Sequence, residues 1–255
     1  MARRRLDAEL VRRSLAADQM QAQELISKHR VLVNGALADN SARQVAPGDA
    51  VVIADPPARW VGRGAEKLDR AFEVFQIDVK GMRALDAGAS TGGFTDCLLQ
   101  RGARQVVAVD VGHGQLHERL RADPRVVSME RRNIRSADVD TIGGPVDIAV
   151  GDLSFISLAL VVPPLISMCH PGSPMVLLVK PQFEAKRREV DKGRGVISDP
   201  AIHARIRDEI EDVFERANCR VIGWTESPIR GADGNREFLV HVTTPQAAPP
   251  GEGTA

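Results

Sequence analysis

The chain of 255 residues is 43% hydrophobic, enough to bury a full core and long enough for two domains. Its three cysteines, Cys97, Cys169 and Cys219, are far apart and form no Cys-x-x-Cys pair, which argues against a disulfide scaffold or a zinc site and for reduced thiols in a cytoplasmic protein. The 34 basic and 34 acidic residues cancel, yet residues 1–63 hold 10 Lys/Arg against 7 Asp/Glu, so the front of the chain is the part suited to a polyanion.

Met1-Ala2-Arg3-Arg4-Arg5 has the charged start of a signal peptide, but no apolar region follows it. The most apolar run, Leu158 to Cys169, is broken by Pro163-Pro164 and is too short to cross a bilayer. No membrane partner is expected, and no metal.

Arg3 to Leu15 has helical spacing, with Leu6 and Leu10 on one face and Arg5 and Arg12 on another. A second helix is expected after Asp18, a good N-cap residue, burying Ala22, Leu25 and Ile26. Lys28, His29 and Arg30 crowd its end. Val31-Leu32-Val33 then reads as a strand stopped by the Asn34-Gly35 turn. Val45 to Ile53, with Pro47-Gly48-Asp49 inside it, reads as a turn and a returning strand.

This pattern resembles the RNA-binding domain named after ribosomal protein S-four. The matching residues are Arg5-Leu6-Asp7, Leu10-Val11, Ala22, Leu25-Ile26, Val31-x-Val33-Asn34-Gly35 and Val45-x-x-Gly48-Asp49-x-Val51. The resemblance implies that Arg4, Arg5, Arg12, Arg13, Lys28 and Arg30 face structured RNA, supplying affinity through phosphate without reading bases. On charge alone, the same residues read equally well as a solvated helical face.

Asp55-Pro56-Pro57-Ala58 is a stiff polar break, and Arg59 to Gly64 follows as the natural linker, with Trp60 as its anchor. Ala65 to Phe75 has apolar residues Leu68, Ala71, Phe72 and Phe75 at helical spacing. Lys67 lies off that stripe, and by itself would be solvated. From Met82 strands and helices alternate, which predicts a doubly wound parallel sheet. Strands are expected at Arg83–Ala87, Gln105–Asp110, Val126–Met129, Asp147–Gly151 and Pro174–Val179, then a helix over Pro200–Ala217. Arg220–Glu226 and Glu237–Thr243 should form an antiparallel pair at the end of the sheet, because only a short turn joins them. Residues 244–255, rich in Pro, Gly and Ala, read as a disordered tail.

Asp86-Ala87-Gly88-Ala89-Ser90-Thr91-Gly92-Gly93-Phe94 is the stretch that carries chemistry: a strand turning through glycines into a helix, where α/β proteins bind nucleotides. Three readings compete for it. A dinucleotide site wants a second glycine where Ser90 stands. Gly-x-Ser-x-Gly also fits a hydrolase nucleophile elbow, but His203 falls inside a helix and His241 inside a strand, which suits neither as a general base. S-adenosylmethionine is the third. Asp86 before the glycines and Asp110 at the end of the next strand suit a cofactor with an amino-acid end and a ribose.

Open α/β sheets work at the carboxyl ends of their strands, and charge stands there at Asp152 and Lys180. Glu237 begins the last strand, which if antiparallel starts at the same edge, and Lys67 is a possible fourth member. Lys67, Asp152, Lys180 and Glu237 match the Lys-Asp-Lys-Glu tetrad of FtsJ-like ribose 2′-O-methyltransferases. Together with the glycine stretch, Asp152-Leu-Ser-Phe-Ile-Ser157, Lys180-Pro-Gln-Phe-Glu184 and the front domain, they make the whole chain similar to the TlyA family of ribosomal RNA (cytidine-2′-O)-methyltransferases.

The resemblance implies an α/β fold. A Rossmann-like methyltransferase sheet, mostly parallel with an antiparallel last strand, is preceded by a small α+β RNA-binding domain. It implies domains at 1–57 and 65–244 with a linker at 58–64 and a tail at 245–255. It implies a cofactor site at Asp86, Gly88, Ala89, Ser90, Thr91, Gly92, Gly93, Phe94, Asp110, Asn133, Asp152 and Leu153. The partner is ribosomal RNA within ribosomal subunits, acted on by a monomer. Lys180 is the expected base: the neighbouring cation Lys67 and exclusion of water favour the neutral lysine that a base must be, while Asp152 and Glu237 pull the other way and are expected to orient the lysines and the incoming hydroxyl. Two other readings are an RNA-binding module with a vestigial methyltransferase fold, which the complete cofactor loop and tetrad oppose, and a haemolysin-like membrane-active protein, for which there is no apolar spanning segment or strong interfacial helix.

Overall fold

The computed structural model describes residues 3–54 and 59–247, and the chain divides into two units, residues 1–59 and 60–255. The first unit runs β1 (Arg4–Arg5), α1 (Leu6–Arg12), α2 (Gln19–Ser27), β2 (Val31–Val33), β3 (Ala36–Leu37), β4 (Gln44–Val45) and β5 (Val51–Ile53). Leu6 and Leu10 of α1 and Ala22 and Ile26 of α2 close over Val31, Val33, Val45 and Val51 to form a core belonging to this unit. As expected, Asp18 caps α2, its carboxylate accepting from the Gln21 N–H at 2.8 Å. Asn34 and Gly35 both have positive φ, 54° and 79°, which is the backbone a two-residue hairpin turn requires.

The expected helix over Arg3–Leu15 is shorter than its spacing suggested. Arg4 and Arg5 are extended, paired antiparallel with Val45 and Gln44, because the ladder satisfies backbone groups that an extra helical turn would leave at the surface. The break at 55–58 lies outside the described residues.

The second unit runs α3 (Gly64–Phe75), β6 (Arg83–Ala87), α4 (Gly93–Gln100), β7 (Gln105–Val109), α5 (Glu118–Arg121), β8 (Val126–Met129), β9 (Ile148–Gly151), α6 (Val162–Ser167), β10 (Pro174–Val179), α7 (Pro181–Glu184), α8 (Arg187–Lys192), α9 (Pro200–Arg216), β11 (Arg220–Glu226) and β12 (Phe238–Thr243). Its seven strands lie in the order β11-β12-β10-β9-β6-β7-β8. β9, β6, β7 and β8 run parallel to β10, while β12 is antiparallel to both β10 and β11. Strands β6, β7, β9 and β10 are buried on both faces, as helices on both sides demand. One face packs α6 and α9 through Leu165, Ile206, Ile210 and Phe214. The other packs α3 and α4 through Leu68, Phe72, Phe94 and Leu98.

Residues 60–64, read as linker, belong with this unit: Trp60 and Val61 pack against the α3–α4 core, and the Val61 N–H donates to Asp96 Oδ2 at 2.8 Å. The first residues read as tail, Thr244 and Pro245, are held against this unit. Thr244 is buried, its N–H donates to the Ser173 carbonyl, and the Gly172 N–H donates to the Pro245 carbonyl. Residues 248–255 of that tail lie outside the described residues. No described helix is long and apolar enough to cross a membrane.

Candidate active site

The glycine stretch leaves β6 at Ala87 and enters α4 at Gly93. Gly88 turns the chain at φ +83°, and a Cβ there would meet the Asp152 carbonyl oxygen at 2.7 Å and the Leu153 side chain at 3.0 Å. Only glycine leaves that approach open. The N–H groups of Gly88 and Ala89 both donate to the Val109 carbonyl, which ties the turn to the end of β7. Asp110, the residue after β7, accepts from the Ser90 N–H at 2.8 Å on one oxygen and from the Gly112 N–H at 2.7 Å on the other. A carboxylate has about four acceptor positions, so two remain for a ligand hydroxyl.

Two adjoining clefts open here. The smaller, about 190 Å³, is lined by Gly88, Ala89, Ser90, Thr91, Gly93 and Phe94 together with Asp152 and Lys180. The larger, about 960 Å³, runs past Val109, Asp110, Asn133, Ile134 and Leu153 toward Phe155 and Phe183. Of the stretch, Gly92 lines neither. It starts α4 at φ 98° against the side chains of Leu116 and Leu120. Asn133 reaches the larger cleft while its side chain accepts from the Arg135 N–H at 3.0 Å.

Asp86 stands behind the turn instead of in it, contrary to the contact expected of it. It is fully buried, lines neither cleft, and accepts from Thr95 Oγ1 at 2.6 Å, while its Oδ1 has no hydrogen-bond partner. Burial pushes its carboxyl up to about 7, a rise the Thr95 hydroxyl partly offsets.

The four charged residues do converge. Lys180, first residue beyond β10, places Nζ 2.6 Å from Asp152 Oδ1, and Lys67 of α3 places Nζ 3.6 Å from Asp152 Oδ2 and 2.7 Å from Glu237 Oε2. Asp152 therefore holds one lysine on each oxygen, and Lys67 joins it to Glu237. Lys67 is only 8% exposed and Glu237 2%, so the network is held inside the sheet edge and not on a solvated face. Glu237 reaches this edge because β12 is antiparallel. Gly231 leaves it room: a Cβ there would lie 2.5 Å from Glu237 Oε1.

Two residues went unassigned by sequence reasoning. Ser154 accepts from Lys180 Nζ at 2.8 Å. Phe155, at φ 62°, is 90% exposed and lies 5.0 Å from the Phe183 ring between centroids. Ser154 was reachable, being inside the quoted Asp152-Leu-Ser-Phe motif. Nothing in the pattern marks a phenylalanine for exposure.

In the first unit the cations separate into two kinds. Arg4 and Lys28 are exposed, Lys28 pairing with Glu24. Arg5 and Arg12 pair with the buried Asp7 and Glu9, at 2.8 and 2.6 Å, while staying half exposed themselves. These pairings hold the Asp7 and Glu9 carboxyls down to about 2. Arg13 and Arg30 instead turn inward. Arg13 donates to Glu9 and to the carbonyls of Asp49 and Pro47, and Arg30 to the carbonyl of Ala54, so both support the unit's own backbone.

A glycine turn with no room for a Cβ, a strand-end carboxylate with spare acceptor positions and an apolar wall of Val109, Ile134 and Leu153 fit a nucleoside cofactor with an amino-acid end. Comparisons with known proteins agree in kind. The FtsJ-like methyltransferase family matches residues 60–244, and the S4 domain matches residues 4–51. The 16S/23S rRNA (cytidine-2′-O)-methyltransferase TlyA of Mycobacterium tuberculosis is 48% identical over 246 residues, 96% of this chain and 91% of its own length. A solved structure from Streptococcus thermophilus that carries the name hemolysin is similar at a TM-score of 0.70 and 38% identity, covering 98% of this chain and 93% of that one. An S-adenosylmethionine dependent methyltransferase from Listeria monocytogenes, 14% identical with a TM-score of 0.53 over 72% of this chain and 100% of its own, shares the fold.

Proposed function

Because the chain belongs to the FtsJ-like methyltransferases, and within them to the TlyA family, we propose that Lys67, Asp152, Lys180 and Glu237 carry S-adenosylmethionine-dependent 2′-O-methylation of cytidine in ribosomal RNA. The single observation that supports this most directly is Asp152 held between two lysines at the mouth of the glycine-lined cleft. When bound, S-adenosylmethionine supplies a methyl group already activated on sulfonium. Gly88 to Thr91, Gly93, Phe94, Asp110, Asn133 and Leu153 are the residues that would hold it.

A ribose 2′-hydroxyl is a poor nucleophile at neutral pH, so the chain's share of the work is alignment and proton removal. Lys180 is the base: its Nζ takes the proton of the ribose 2′-hydroxyl, so that the oxygen can act as the nucleophile. Asp152 fixes where Nζ points, and Ser154 fixes it from a second side. Lys67, held by Glu237, occupies the far oxygen of Asp152 and keeps that carboxylate from swinging away. Phe155, exposed beside the cleft, offers a flat apolar face to the base of the target nucleotide. Arg4, Arg5, Arg12 and Lys28 give the front domain its hold on RNA phosphate.

The test is Lys180→Ala with radiolabelled methyl transfer into ribosomal subunits. We expect a loss of about 10² to 10⁴ in turnover with cofactor binding retained. Undiminished turnover would remove Lys180 from the base role.

A further inference from the structure

We infer that Glu184, which the mechanism above does not use, is a positioning residue that sets the catalytic wall, an inference that rests on the methyltransferase reading. Glu184 ends α7, the short helix that starts directly after Lys180. Its Oε2 accepts from Ser157 Oγ at 2.6 Å and its Oε1 from the Leu158 N–H at 2.9 Å. Ser157 Oγ in turn accepts from the Ala159 N–H, so the carboxylate grips the point where the chain after β9 enters its next turn.

Segments 152–158 and 180–184 are thereby joined four times. Asp152 meets Lys180, Ser154 meets Lys180, Phe155 meets Phe183, and Ser157 with Leu158 meets Glu184. The first three involve groups at the cleft. The fourth, through Ser157, which also lines the larger cleft, closes the segment. It is needed because Phe155, between the anchors, holds a left-handed φ of 62° with its ring 90% exposed. A bulky residue keeps such a conformation only when the surrounding structure over-determines it. With Glu184 released, Ser154 and Phe155 are tethered at one end only, and Lys180 loses the fixed geometry that its proton transfer requires.

A half-buried carboxyl with no cationic partner among the described residues, which its surroundings push upward, is a poor choice for stability alone, since taking charge out of water costs free energy that an apolar residue avoids. That separates positioning from packing. Glu184→Met fills the space and makes neither hydrogen bond. Glu184→Gln keeps both, its carbonyl accepting from Leu158 and its amide donating to Ser157. Ser157→Ala removes one partner from the other side.

The full-length protein and each variant are compared in methyl transfer to ribosomal subunits, in thermal melting and in backbone hydrogen exchange over 152–158. For Glu184→Met we expect kcat/KM toward the subunits to fall by about 10²-fold, the melting temperature to hold or rise, and exchange over 152–158 to quicken. Glu184→Gln should stay close to the wild type in all three, and Ser157→Ala should fall between. Unchanged exchange in Glu184→Met overturns the inference whatever the activity. So does full activity in that variant, impairment of Glu184→Gln equal to it, or a loss matched by a lowered melting temperature. A wild-type chain that transfers no methyl group sinks the methyltransferase reading instead, while the exchange data still judge Glu184.

Discussion

Lys180 Nζ sits 2.6 Å from Asp152 Oδ1, and the same carboxylate reaches Lys67 through its other oxygen at 3.6 Å. One side chain thus sets the place of the proposed base and is itself fixed by a second lysine. Asp152→Asn keeps the shape and removes the charge that both lysines share. Single-turnover methyl transfer at saturating cofactor should fall by at least about 10²-fold, the scale of a misaligned proton transfer. Lys67 retains Glu237, so the fold should survive, and an Asp152→Asn enzyme of normal rate would show that the pairing does not position Lys180.

Gly88→Ala tests the cofactor turn. The new Cβ would press on the Asp152 carbonyl oxygen at 2.7 Å, at a φ of +83° that an L side chain rarely adopts. Strain of about 1–3 kcal/mol is expected, so calorimetric affinity for S-adenosylmethionine should weaken by about tenfold or more. Unaltered affinity would mean that the turn relaxes without loss.

Asp86 makes stability depend on pH in an unusual direction for a carboxylate. Its folded value, about 7, lies above the ordinary 3.8, so the folded chain keeps a proton that the unfolded chain has released. The stability this contributes is full below 3.8 and is lost as pH rises through about 7, at about 1.4 kcal/mol for each unit of difference. Asp86→Asn should flatten that part of the stability curve and melt higher than the wild type at pH 8. Parallel curves for the two proteins would refute the assignment.

His241 works in the opposite sense. Both ring nitrogens are buried without a hydrogen-bond partner, the ring lies 5.2 Å from that of Phe75, and burial lowers its pKa. Below about 6.5 the unfolded chain takes up a proton that the folded chain resists, so stability should decline as pH falls through that range. His241→Leu removes the two unpaired nitrogens, which are worth roughly 1–3 kcal/mol each when unsatisfied. Chemical denaturation at pH 5.5 should show it more stable than the wild type, and an equal midpoint would speak against this account.

Arg4 and Arg13 should behave differently although both belong to the basic front domain. Arg4 is exposed, so Arg4→Ala should weaken RNA binding and reduce the salt slope by about one without changing stability. Arg13 clamps Glu9 and the carbonyls of Asp49 and Pro47. Arg13→Ala should therefore lower the melting temperature of the front domain first. A stable Arg13→Ala protein with a reduced salt slope would return Arg13 to the RNA-facing set.

Much of this was readable from the chain alone, because local chemistry determined it. Short apolar-rich runs bounded by turn residues located the strands of the larger sheet, and Arg83–Ala87, Val126–Met129 and Pro174–Val179 appear where they were expected. The order of glycines fixed where a nucleotide turn would form. What periodicity could not tell was which charged side chains would leave water. Lys67 looked like a solvated helix residue and is buried against Glu237, 170 positions away. Asp86 looked like a cofactor contact and lies behind the turn with Thr95. Arg13 and Arg30 looked like RNA-facing cations and are spent on carbonyls of their own unit. Phe155, which composition would send to a core, is held out in the open. Most of these depend on a partner distant in sequence, and burial, pairing and strain are decided only when the chain folds those partners together.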